Sequence, residues 1–386
     1  MSDKNTNDEG FETRAIHAGH GYVGGTGAVT PPIYLSSTFE YGNEHGFDYT
    51  RSGNPNFRLL DRALASMEGG NFSTVFGSGV GAITAIVSTL KSGDHIIAEE
   101  NIYGCTYRLL DQVFAKFGVT VSYHDLTDAA NFGKIAEEKP ALVWIESPTN
   151  PLLKVIDIAA VAEATHAAGA TLVVDNTFAS SYLQRPLEMG ADLSLLSTTK
   201  YTNGHSDALG GAVICNDEAW SEKMVFAQKA LGLQPSPFDS WLILRGLKTQ
   251  AVRMERHGAN ALAFAEFLEA EANATFVRYP FLPSHPQHEL AQRQMKNGSG
   301  IVTADFGLTL EATQNFIESL RYFPKAESLG GIESLCCHPA SMTHASVPKE
   351  QREKVGISDS LVRFSVGIET VEDLIGDVRA GLLRIS

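Results

Sequence analysis

Between residues 60 and 250, short and almost wholly apolar runs alternate with segments of helical spacing, and that alternation leaves the chain few architectures. The runs fall at 73–76, 95–98, 120–123, 141–145, 171–174, 193–196 and 212–215. A strand that is apolar on both faces must be covered on both, which is the situation in a mostly parallel sheet with helices above and below. The intervening segments carry helix signals. Asp157 stands at an N-cap position before Ile158, Val161 and Ala162, and Gly169 supplies the stop. The spacing predicts an α/β domain over residues 61–250.

The remaining thirds read differently. Over 251–386 we expect a smaller α+β domain: a long helix at 251–270, strands at 275–279, 301–306 and 361–366, and a closing helix at 370–383. That last helix has Val371, Leu374, Ile375 and Val378 on one face and Thr370-x-x-Asp373 as a capping box. Residues 1–60 show little periodicity. The stretch 17–57 is rich in Gly and Pro, yet Tyr22, Ile33, Tyr34, Phe39, Tyr41, Phe47 and Tyr49 make it too apolar for disorder. An N-terminal arm over 1–60 that contacts a neighbouring subunit accounts for both properties.

Charge and composition exclude several classes. The net charge is −15 and no Lys/Arg run exists, so no nucleic-acid partner is expected. No apolar stretch reaches the ~20 residues of a membrane span, and residues 1–10 are too polar for a signal peptide. The four cysteines, Cys105, Cys215, Cys336 and Cys337, include no C-x-x-C pair, which fits a reducing, cytoplasmic setting. Cys336-Cys337-His338 and His285-x-x-His288 lack the spacers that let side chains converge on one ion, so no metal site is expected.

In an open α/β sheet, ligands bind beyond the carboxyl ends of the strands. Those ends offer Gly77-Ser78-Gly79-Val80, Glu146-Ser147-Pro148-Thr149-Asn150, Asp175-Asn176-Thr177 and Ser197-Thr198-Thr199-Lys200. Gly77-x-Gly79-x-x-Ala82 formally matches a dinucleotide fingerprint, with Glu99 or Glu100 near the place of a ribose-binding acid. A nicotinamide site, however, leaves Lys200 beside Asp175 unexplained. Small residues opening a helix can hold any phosphate, or can simply let a strand and helix pack closely. Lys200 is either a solvated strand end or an amine whose lowered pKa lets it condense with a carbonyl. Pyridoxal phosphate needs that amine, a carboxylate facing its ring nitrogen and an aromatic ring to stack on it. Lys200, Asp175 and Tyr103 supply these.

The motifs then become specific. Tyr49-Thr50-Arg51-x-Gly53-Asn54-Pro55, Asp175-Asn176-Thr177-Phe178, Ser197-Thr198-Thr199-Lys200-Tyr201 with Gly204-His205-Ser206-Asp207, Ala326 through Ser334, and Met342-Thr343-His344-Ala345 resemble the signatures of the Cys/Met-metabolism pyridoxal-phosphate enzymes, from about residue 11 onward. The resemblance implies fold type I of the PLP-dependent transferases and pyridoxal 5′-phosphate as cofactor. It implies that Lys200 bonds the cofactor and moves protons, that Asp175 pairs the ring nitrogen, and that Tyr103 stacks on the ring and helps deprotonate the incoming amine. Gly79, Val80, Ser197 and Thr199 would hold the phosphate. Tyr49 and Arg51 would reach the phosphate of a neighbouring subunit in a homotetramer built from two dimers. Arg363 would clamp the substrate α-carboxylate with help from Ser334 and Asn150.

Within the family, Tyr103 through Arg108, Leu109-Leu110-Asp111, Ser147 through Leu153, Phe238-Asp239-Ser240-Trp241 and Leu244-Arg245-Gly246-Leu247 resemble the bacterial γ-synthases. Glu333 is similar to both γ-synthases and γ-lyases, and Arg108 would hold the distal substrate end. The implied reaction joins an O-acylhomoserine, succinyl or acetyl, to L-cysteine, giving L-cystathionine and a carboxylic acid. The alternatives are γ-elimination of cystathionine to cysteine, 2-oxobutanoate and ammonia, elimination from methionine, and sulfhydrylation of the same esters.

Overall fold

The computed structural model describes residues 9–20, 27–272, 274–345 and 349–385. All seven apolar runs form strands of one sheet: β1 (Phe72–Phe76), β2 (His95–Glu99), β3 (Thr120–His124), β4 (Leu142–Glu146), β5 (Thr171–Asp175), β6 (Leu193–Leu196) and β7 (Gly211–Cys215). Their order is β1-β7-β6-β5-β4-β2-β3. Strands β2 to β6 are parallel, and β7 runs antiparallel to both neighbours, β6 and β1. Four strands continue one residue past the apolar run, into Glu99, His124, Glu146 and Asp175. These polar residues close the carboxyl edge, where the sheet's backbone pairing outlasts its apolar patterning.

Local signals carry through. Asp157 accepts a hydrogen bond from the Ala160 N–H at 3.0 Å and opens the helix Ile158–Ala167; Gly169, at φ +73°, closes the turn beyond it. In the C-terminal part, β8 (Phe276–Arg278), β9 (Ile301–Asp305), β10 (Leu335–Cys337) and β11 (Leu361–Ser365) form an antiparallel sheet in the order β10-β11-β9-β8. Strand β10, three residues long, is too short to show alternation in the sequence. Its Cys336 packs in the apolar cluster with Phe264 and Phe364 and donates to the Phe323 carbonyl at 3.0 Å. Burial pushes that thiol up to about 12, so it is a neutral packing group.

The long helix, Gln250–Glu271, ties the two sheets together. Ala251 and Met254 belong to the core of the larger sheet, whereas Phe264, Ala265 and Leu268 belong to that of the smaller. The change of core therefore falls inside this helix rather than at its start. The first 60 residues also divide. A helix at Phe11–His17 buries Phe11 and Ala15 in this chain's own core, and the helix Pro55–Glu68 buries Phe57, Leu59 and Leu60 there. Between them, residues 27–54 form no helix and only an isolated bridge, Thr38 to Tyr49. On this stretch Val29, Leu35 and Tyr41 are 80%, 72% and 98% exposed, while Phe47 is buried. Tyr22 lies outside the described residues. Among the described residues, no helix is long and apolar enough to cross a membrane.

Candidate active site

At the carboxyl end of β1 the chain turns through Gly77 and Ser78 into the helix Gly79–Val87. Ser78 caps that helix by accepting from the Gly81 N–H at 3.0 Å. Val80 lies in its first turn. Gly79 backs directly on the turn after β6, where a Cβ at position 79 would stand 2.9 Å from Ser197 Cβ. The Ser197 N–H is held by Thr177 Oγ1 at 2.9 Å, and the Thr199 hydroxyl exchanges hydrogen bonds with the backbone of Gly210. Gly79, Val80 and Ser197 therefore meet at one helix N-terminus, with Thr199 in the same turn as Ser197. Free N–H groups and the helix dipole there favour a phosphate.

Lys200 follows in that turn. Its Nζ donates to the Ser328 hydroxyl at 3.0 Å. Burial, reinforced by the Arg363 charge, lowers the amine to about 8. Asp175 is buried at the end of β5. Its Oδ1 accepts from the Thr177 N–H at 3.0 Å, and no cation among the described residues pairs with it. Burial raises it to about 6. A buried carboxylate without a counter-ion is costly unless a ligand brings the positive charge.

Tyr103 opens the short helix Gly104–Arg108, and its N–H donates to Glu146 Oε1 at 2.6 Å. Burial and a hydrogen bond to Cys105 push its phenol well above the usual range, so in this arrangement Tyr103 is a neutral donor. Glu146 itself was given no role by sequence reasoning. It stands level with Asp175 across β4 and β5, and burial together with Asp175 raises its carboxyl far above normal. The available signal was a carboxylate placed directly after the apolar residues 142–145.

From the smaller domain, β11 contributes Arg363. It is 3% exposed, with Nη1 donating to Asn150 Oδ1 at 2.8 Å and Nη2 to the Ser328 carbonyl at 2.9 Å. Its Nε is buried with no hydrogen-bond partner among the described residues. Asn150 thus lies against the Arg363 guanidinium. The Ser334 hydroxyl is engaged elsewhere: it donates to Glu369 Oε2 at 3.0 Å and accepts from the Gly367 N–H at 2.8 Å. Ser328, which sequence reasoning passed over, takes the place beside the guanidinium. Glu333 is half-buried and accepts from the hydroxyl of Ser206, whose backbone adopts φ +56°. Arg108 is exposed, with Nη2 at 2.8 Å from Cys105 Sγ and no carboxylate partner among the described residues. On the arm, Tyr49 is 46% exposed, and the Arg51 guanidinium lies 5.6 Å from its ring centre and reaches the Lys229 carbonyl of the same chain at 3.1 Å.

The dinucleotide alternative fails on its acid. Glu99 is fully buried, accepts from the Leu126 N–H at 2.8 Å and faces Lys154, while Glu100 pairs with Lys154 at 3.1 Å. Neither is free for a ribose. The residues present fit pyridoxal 5′-phosphate instead. The cradle at Gly79 and Ser197 that a Cβ would fill suits its phosphate, the unpaired Asp175 suits its ring nitrogen, and the lowered pKa of the Lys200 amine suits its aldehyde.

Comparison with known proteins agrees. The family model described as "Cys/Met metabolism PLP-dependent enzyme" matches residues 12–383. A cystathionine gamma-lyase of Dictyostelium discoideum is 48% identical over 374 residues, covering 96% of this chain and 97% of that protein. A cystathionine gamma-synthase of Mycobacterium tuberculosis is 46% identical over 390 residues, covering 99% of this chain and all of that one. The crystal structure of cystathionine gamma synthase from Xanthomonas oryzae pv. oryzae, in complex with aminoacrylate and cysteine, superposes with a TM-score of 0.94 at 46% identity and covers 97% of this chain and 98% of that one. With the fold, the half-buried lysine and the unpaired aspartate in agreement with these matches, the chain belongs to the Cys/Met-metabolism family of enzymes and depends on pyridoxal 5′-phosphate.

Proposed function

We propose that this enzyme catalyses γ-replacement, joining an O-acylhomoserine to L-cysteine to give L-cystathionine and a carboxylic acid. The observation that carries this reading is Arg108. It is a cation on the same short helix as Tyr103 that no carboxylate of the described chain neutralises, and so it is free to hold the distal end of an acylated substrate. Arg363, with its open Nε and a guanidinium plane set by Asn150, would receive the α-carboxylate. When bound, pyridoxal 5′-phosphate supplies the electron sink that makes the Cα and Cβ protons of the substrate acidic. Lys200 Nζ would take the Cα proton and then serve the Cβ position. Asp175 would keep the ring nitrogen protonated. The neutral Tyr103 would stack on the ring and act as a proton partner of the incoming amine. The acyl group departs from Cγ as a carboxylate with its bonding electrons, and the cysteine sulfur bonds to Cγ while its thiol proton is released to the site.

Glu333 favours one second reading. A carboxylate held by Ser206 near the distal end would also bind the far ammonium group of cystathionine, as γ-elimination to cysteine, 2-oxobutanoate and ammonia requires. The two are separated by a split assay on the purified holoenzyme. One arm receives O-succinyl- or O-acetylhomoserine with cysteine, and the other receives cystathionine alone. A higher kcat/KM for cystathionine formation supports γ-replacement and identifies the donor. Faster release of cysteine and 2-oxobutanoate makes the enzyme a γ-lyase and leaves the residue roles standing.

A further inference from the structure

Tyr103 stands at the N-cap of the helix Gly104–Arg108. Its carbonyl accepts from the Tyr107 N–H at 3.0 Å, but no carbonyl of that helix can satisfy its own N–H. Glu146 Oε1 does so at 2.6 Å, from a strand 43 positions further along the chain. The residues on either side of Tyr103 are held by packing instead. Ile102 belongs to the core cluster that includes Trp144 of β4, and Gly104 lies so close to the Thr343 carbonyl that a Cβ would stand 2.6 Å from its oxygen. The Glu146 carboxyl is thus the polar contact that fixes the backbone from which the Tyr103 ring projects.

On its other side Glu146 stands level with Asp175 of β5, and neighbouring strands lie about 4.8 Å apart. Both side chains are buried at the carboxyl edge of the sheet. Burial and the Asp175 charge raise the Glu146 carboxyl and outweigh the Tyr103 N–H, so Glu146 is the member of the pair that keeps its proton. A neutral carboxyl still has a carbonyl oxygen to accept the Tyr103 N–H. Its neutrality also leaves the negative charge on Asp175, where the ring nitrogen would meet it. What position 146 requires is therefore reach and an acceptor, not charge.

We propose that Glu146 is a positioning residue whose carboxyl anchors the Tyr103 backbone, so that the phenol ring is held at a fixed height over the cofactor ring that Asp175 meets at its nitrogen. The inference rests on the reading of Tyr103 as the ring that stacks on the cofactor, and it applies equally to γ-replacement and γ-elimination.

The test uses Glu146→Gln, Glu146→Asp and Glu146→Ala in the full chain, with Tyr103→Ala as control. Gln keeps the length and the acceptor without an ionisable group, whereas Asp keeps the carboxyl but is one methylene shorter. In apoenzyme, deuterium exchange of the Tyr103 amide, read by mass spectrometry on overlapping peptides, should accelerate about fivefold in the Asp and Ala variants, the loss expected for one hydrogen bond, and stay within about twofold of wild type in Gln. In holoenzyme, the visible circular dichroism of the bound cofactor should weaken in Asp and Ala, and its affinity should fall about fivefold, as loss of a stacked ring does. Glu146→Gln should recover both. Unchanged exchange and dichroism in Glu146→Ala overturn the proposal. So does recovery in Glu146→Asp but not in Glu146→Gln, which makes charge the requirement. A lower melting temperature with loss of cofactor affinity in all three variants, Gln included, marks a structural role and overturns it too. Cofactor affinity and dichroism that persist in Tyr103→Ala refute the underlying reading of the stacked ring, a failure distinct from that of Glu146.

Discussion

A lysine in water is charged until about pH 10.4, and Lys200 departs from that because burial strips its solvation while the neighbouring Arg363 repels a second positive charge. At pH 7.5 an amine of pKa about 8 is roughly one-quarter neutral, against about one part in a thousand for an ordinary lysine. The neutral form is the nucleophile. The rate at which apoenzyme takes up pyridoxal 5′-phosphate should therefore rise with pH and level off above about 8, instead of climbing on toward 10. Absorbance growth followed between pH 6 and 10 checks this, and Arg363→Ala should move the plateau upward by removing the repelling charge. Glu146 and Asp175 complete the residue-level picture as two adjacent buried carboxyls that cannot both ionise cheaply. A protonated ring nitrogen brought to Asp175 supplies the charge that would draw it back to carboxylate.

At the level of elements, the site is made from strand ends and the turns behind them. A buried polar network sets those turns. Glu68, on the helix Pro55–Glu68, accepts from Asn176 Nδ2, Ser181 Oγ and Ser194 Oγ, and Gln184 and Gln294 extend the network to Ser147. Desolvation pushes Glu68 up to about 7. The phosphate cradle depends on a different constraint, the absence of a side chain at the first residue of the helix Gly79–Val87. Gly79→Ala would drive a methyl against Ser197, whose turn also carries Lys200, at an overpacking cost of about 1–3 kcal/mol. Pyridoxal-phosphate affinity should fall about tenfold if a cost of that size also opposes the bound cradle, and because the clash exists without the cofactor, the apoenzyme should melt at a lower temperature as well. A titration of apoenzyme by absorbance, beside a melting curve, separates the two effects.

Across the whole molecule, the site sits at a seam. Lys200, Asp175 and Tyr103 come from the larger sheet's domain and Arg363 from the smaller. Arg363 with Asn150, Thr303 Oγ1 with the Pro151 carbonyl at 2.7 Å, and His285 Nε2 with the Leu153 carbonyl at 3.1 Å stitch the two together. The arm stands apart from this arrangement. Its exposed Val29, Leu35 and Tyr41 are the kind of surface that a second copy of the chain would cover. We propose on that ground a dimer, paired into a tetramer, in which Tyr49 and Arg51 complete the phosphate site of the neighbour. Arg51→Ala and Lys200→Ala should each be nearly inactive alone. If they are unfolded and refolded together, mixed dimers regain one intact site each, and activity should return to roughly a quarter of wild type through two-fold symmetry. Mixing that restores nothing places Arg51 in its own subunit's site.

The sequence by itself determined the seven strands of the large sheet, because a doubly covered strand must be apolar on both faces and that pattern is local. It also determined the helix caps at Asp157 and Gly169, and, through motif resemblance, the family. Asn150 and Arg363, 213 positions apart, are hydrogen-bonded to one another in the fold. Tertiary structure decided the rest. Glu146 reads as an ordinary loop acid until β4 and β5 bring it level with Asp175. The partners of the Ser334 hydroxyl, Glu369 and Gly367, lie more than thirty positions away and become its neighbours only in the fold. Ser328 gains meaning only where Lys200 and Arg363, 163 positions apart, close on either side of it. Strand patterning records burial, which each residue feels in its own place, whereas a site depends on which distant groups the fold makes neighbours.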